Sequence, residues 1–123
     1  MNIEELRTYC LSVKGVTEST PFGDDVLVYK VMNKMFAYFP LFPKEGEPFV
    51  VLKCDPEKTV ELRDQYQGVT KGYYAGNNLL WNSVFLQQDV PNALIKELID
   101  HSVEEVLKKL SKKQQQEYHV SLS

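Results

Sequence analysis

Between Val26 and Cys54 the chain carries three short runs rich in β-branched and aromatic residues. They are VLVYKV (Val26–Val31), the stretch from Met35 to Phe42, and FVVLKC (Phe49–Cys54). Runs of this length and composition read as strands. Only Met32, Asn33 and Lys34 separate the first two, and Asn tolerates positive φ, which predicts a tight hairpin. Pro40 lacks an amide donor and predicts an edge or the end of pairing. Pro43 to Pro48, with Gly46, reads as the loop to the third strand.

Helices bound this block. Asn2 is placed to cap the first helix, with Glu5 completing a capping box. Ile3, Leu6, Cys10 and Val13 fall on one helical face, and Gly15 is a natural stop. A polar linker follows. Asp55-Pro56-Glu57 opens a second helix: a cap, a proline in the first turn and an acid at the positive end of the dipole. It runs to about Tyr66 and stops at Gly68. An extended piece is expected around Val69 to Tyr73, and a strand over Leu79 to Leu86. The last helix starts near Pro91, with an apolar stripe running from Leu94 through Leu98, Ile99 and Val103 to Leu110. The order α-β-β-β-α-β-β-α predicts a two-layer α+β fold with an antiparallel sheet of about five strands.

No Pro/Gly/Ser linker divides the 123 residues, so they are read as one domain, with a fraying tail from about residue 111. Fourteen basic and seventeen acidic residues give a net charge of −3, which disfavours nucleic-acid binding by charge alone. Cys10 and Cys54 form no CxxC pair and read as buried thiols in a reducing, cytoplasmic setting. No run has the ~18 apolar residues of a membrane span, and MNIEELRTYC lacks the pattern of a signal peptide.

The residues supply little for catalysis. His101 and His119 lie outside any metal-ligand spacing, and they read as a helix-surface and a solvated histidine. The acid pairs Glu4–Glu5 and Glu104–Glu105 diverge around their helices, so neither converges on one atom. No GxSxG, P-loop or GxGxxG occurs. No enzymatic activity, metal or cofactor is expected.

Three features stand out. Pro21-Phe22-Gly23-Asp24 reads as a turn that docks Phe22 into the core. Lys30, Lys34, Lys53 and Lys71 lie on or beside strands, and Lys30 and Lys34 flank the hairpin, a geometry suited to a wing on a phosphate backbone. Tyr73, Tyr74 and Trp81 form an aromatic stretch beside these cations, where bases could stack unless Trp81 is core.

Gly15 to Gly23, Lys34-Met35-Phe36-Ala37, Leu52 to Glu57 and Trp81-Asn82-Ser83-Val84 together resemble the MmcQ/YjbR family of small bacterial proteins. The resemblance runs from Ile3 to about Leu107. It implies helices over an antiparallel sheet, similar to secretion chaperones, and DNA binding through a double wing of sheet hairpins. It implies no catalysis and no cofactor. Matching positions able to contribute to DNA contact are Lys30, Lys34, Lys53, Lys71, Trp81 and Asn82. Members of the family usually read Gly-Tyr-His-Met-Asn-Lys-Lys-His-Trp-Asn through the last loop and strand. Here the stretch from Gly72 to Asn82 has one residue more and lacks those lysines and histidines.

Two readings follow. One is a weak, sequence-non-specific contact with duplex DNA. Four phosphate contacts would give a log–log salt slope of about −3.6. The other is a module binding a protein or small ligand through Tyr73, Tyr74, Trp81 and the adjoining sheet. Neither needs a membrane, and both are compatible with a monomer or weak dimer.

Overall fold

The computed structural model describes residues 1–43, 46–72 and 79–121. Among these residues, four helices cover one side of a six-stranded antiparallel sheet, an α+β architecture. The elements are α1 (Ile3–Leu11), β1 (Thr17–Ser19), β2 (Val26–Val31), β3 (Lys34–Pro40), β4 (Phe49–Lys53), α2 (Pro56–Gln65), β5 (Val69–Lys71), β6 (Trp81–Phe85), α3 (Asn92–Lys108) and α4 (Lys112–Ser121). The strand order is β1-β2-β3-β4-β6-β5.

Local chemistry sets the ends of these elements. The capping box of α1 is complete: Glu5 N–H donates to Asn2 Oδ1 at 2.8 Å, and Asn2 N–H donates to Glu5. Asp55 caps α2, with Pro56 in its first turn. Met32 and Asn33 both have positive φ, 49° and 63°, as a two-residue type I′ hairpin requires. Pro40 pairs with Val26 as the last residue of β3, which lies inside the sheet, and one further backbone bond, Leu41 N–H to Asp25 O, follows it.

Antiparallel partners share a face, and successive residues alternate. One face therefore holds Leu27, Tyr29, Val31, Ala37, Phe39, Val50, Leu52 and Val84. These join Leu6 and Cys10 of α1, Leu62 of α2, Ile95, Leu98 and Ile99 of α3, and Tyr118 of α4 in a single core. A bulge between Tyr29 and Lys30 also sends Phe36 into that core. Beyond the bulge, Ser102 of α3 bridges β3 and β4: it accepts from Lys53 N–H at 2.9 Å and donates to Phe36 O.

Three expectations need correction. Residues from 112 onward do not fray as far as Ser121, because Ser111 and Gln114 form a capping box for α4. Tyr118 is buried and donates to Lys14 O at 2.6 Å, which ties α4 to the end of α1. The linker after α1 contains β1, whose three polar residues are held by pairing with β2. Phe22 does not dock in the core; it is 69% exposed.

Candidate functional site

All four helices contribute to the core on one side, and no helix among the described residues lies on the other face. That open face is a map of three rows running across the strands. The first row is Thr17, Lys30, Met35, Lys53 and Trp81. The middle row is Ser19, Val28, Tyr38, Val51, Ser83 and Thr70. The third is Val26, Pro40, Phe49 and Phe85.

The three rows contain two lysines and no acid, in a chain of net charge −3. In the middle row Val28, Val51 and Ser83 are buried. Tyr38 reaches diagonally across β4 toward Trp81, their ring centroids 6.3 Å apart and tilted by 46°. Phe49 and Phe85 form a second tilted pair at 5.4 Å in the third row. Lys30, Tyr38, Lys53 and Trp81 are half-buried.

Lys53 sits in an unusual field. Burial pulls its ammonium below the ordinary lysine range, repulsion from Lys109 and Lys34 adds to this, and Glu105 opposes it. Charges of both signs therefore surround Lys53: Lys109 and Lys34 on one side of the balance and Glu105 on the other.

The register divides the cations expected from the sequence. Lys30 and Lys53 share the open face. Lys34 pairs with Val31, and Lys71 with Asn82, so both alternate to the helix-bearing side. Asn82 is not available as a contact residue: it is 2% exposed. Its amide accepts from Arg63 Nε at 2.8 Å and donates to Thr59 Oγ1 at 2.9 Å, which locks α2 to β6. Trp81 is half-buried and stands on the open face rather than in the core. Tyr73 and Tyr74 lie outside the described residues.

Sequence reasoning missed Tyr38 and Lys109. Tyr38 was legible as the residue in phase with Val28 across the hairpin. Lys109 follows α3 and gave no local signal. His101 is also more than a surface residue. It is half-buried, and its Nε2 accepts the Asp55 backbone N–H at 3.1 Å.

Burial pushes the Cys10 thiol up to about 12 and also raises Cys54. Among the described residues no three His, Cys, Asp or Glu side chains converge to hold a metal. Nor is any described helix long and apolar enough to cross a membrane.

Residues 11–104 match the YjbR family model. The chain belongs to the YjbR family. This YjbR domain is 30% identical over 112 residues to YbdF of Escherichia coli O157:H7, covering 91% of this chain and 89% of that protein. It is 30% identical over 107 residues to YjbR of Escherichia coli K12, covering 87% and 88%. The crystal structure of Deinococcus radiodurans DR2400, with a DUF419 domain, superposes with a TM-score of 0.85 at 32% identity, over 96% of this chain and 88% of that one. A Pseudomonas syringae protein solved in solution shares the fold, with a TM-score of 0.72 at 22% identity, over 91% and 96%.

Proposed function

We propose that this YjbR domain is a non-catalytic binding module, and that its ligand is nucleic acid held at the first row of the open face. One observation carries the reading: in an acidic chain, the open face presents Lys30 and Lys53 with no acid among its rows, beside the Tyr38–Trp81 pair. Lysines supply phosphate contact, and aromatic rings supply apolar contact to bases. A double wing, as the family resemblance implies, would make its contact through the sheet. With two lysines on the face rather than four, the salt slope on duplex DNA should be about −1.8, not −3.6.

A second reading rests on the opposite end of the sheet. Phe22 is 69% and Phe42 79% exposed, in loops joined by the Leu41 N–H to Asp25 O bond at 2.7 Å. Such a patch suits a protein partner. Titration of labelled DNA against the wild type and Lys53→Met decides between them. Nucleic-acid binding requires low-salt affinity that Lys53→Met weakens on all sequences alike. If the wild type does not bind, the partner reading takes its place.

A further inference from the structure

We infer that the nucleic acid taken by this face is single-stranded, running across the strands along the first row with unpaired bases against Trp81, which Tyr38 supports from the middle row. This rests on the nucleic-acid reading above and narrows it.

Two lysines rooted on one face are too few to hold a duplex by phosphate contact alone. Two lysines serve the face, and Lys34 and Lys71 leave it on the other side. Attraction must therefore draw on the apolar part of the face. In a duplex the bases cover one another's faces, and only backbone and groove edges are offered. In a single strand the base faces are free, and an aromatic side chain takes them with little regard to sequence.

The geometry fits a strand laid flat. Lys30 and Lys53 root in the same row two strands apart, about 9–10 Å at ordinary strand spacing. Met35 lies between them and Trp81 follows Lys53, so cation, apolar, cation and aromatic groups succeed one another across the sheet. A backbone running along the strands instead would pass toward the third row and meet exposed Asp24, Asp25 and Glu47. Their repulsion favours the course along the row.

Trp81 is the sole tryptophan, so its emission reports the site directly. The experiment titrates the full chain with unlabelled oligo-dT twelve nucleotides long, the matching oligo-U, and a duplex of equal length. A single strand should quench Trp81 emission and bind at least about tenfold more tightly than the duplex. Its log–log salt slope should be about −1.4, from two contacts at roughly −0.7 each. Trp81→Leu, followed by anisotropy of labelled oligonucleotide, should weaken binding about tenfold, with Trp81→Phe restoring most of it. Tyr38→Leu tests the same pair should Trp81→Leu fail to melt cooperatively, and it should also weaken binding. Preference for DNA or RNA leaves the inference standing and names the strand. Equal affinity for duplex and single strand overturns it, as does normal binding by folded Trp81→Leu or, in its place, Tyr38→Leu. In those cases the nucleic-acid reading survives if Lys53→Met still weakens binding. No binding of any oligonucleotide at low salt ends both.

Discussion

His101 Nε2 accepts the backbone N–H of Asp55 at 3.1 Å, so the histidine is held neutral with its proton on Nδ1. An imidazolium has no lone pair for this bond. Burial lowers the His101 pKa below its ordinary 6.5, and nearby Lys58 lowers it further; Lys108 acts the same way, while Glu105 and Glu104 oppose. The unfolded chain therefore takes up a proton near pH 6.5 that the folded chain refuses. Stability from this site is fully present above that pH and is lost as the pH falls toward the lowered folded value. His101→Gln keeps an acceptor without titrating. Urea midpoints measured across this window should fall more in the wild type than in the variant; equal falls would remove His101 from the account.

Ser102 is fully buried and serves Lys53 N–H and Phe36 O at once. Ser102→Ala should leave both backbone groups without their partner and cost about 1–3 kcal/mol. Chemical denaturation measures this. An unchanged midpoint would mean that β3 and β4 close on each other without the serine.

The division of lysines between faces has its own signature. Lys53→Met should flatten the salt slope of single-strand binding by about 0.7, because one phosphate contact is lost. Lys34→Ala should leave the slope unchanged. The reverse order would mean that contact runs around the hairpin rather than over the sheet.

Asn33 holds φ 63° in the hairpin turn. A β-branched residue is poorly tolerated there, so Asn33→Val should cost about 1–2 kcal/mol. Thermal melts would register it as a drop of several degrees.

Two phenylalanines close in sequence should behave oppositely. Phe39 is fully buried and stacked on Tyr29 at 5.6 Å, so Phe39→Ala should cost about 3–5 kcal/mol. Phe42 is 79% exposed, and Phe42→Ser should stay within about 0.5 kcal/mol. A large loss at Phe42 would show that it packs in solution.

Much of the fold was legible because its signals are local. Caps at Asn2 and Asp55, positive φ at Asn33 and the apolar phase of α3 each act within a few residues. What escaped depends on distant partners. Thr17–Ser19 is polar and becomes a strand only beside Val28 to Lys30. The Lys/Gln-rich α4 conceals a capping box at Ser111 and Gln114, and its anchor is one tyrosine meeting Lys14. Phe22 belongs by composition inside, yet its loop leaves it in solvent. The site was legible as a list of lysines but not as a surface. Strand pairing decides which side each lysine takes, and neighbouring residues do not reveal the pairing.

The two lateral strands, β1 and β5, have three residues each. Such margins expose few unpaired amides and carbonyls, too few to template an added strand. Recruitment by lengthening the sheet, whether of a peptide or of a second copy, is therefore poorly served. Among the described residues, approach over the sheet or its loops is better served than approach along a strand margin, and aggregation through strand stacking is discouraged by the same economy of length.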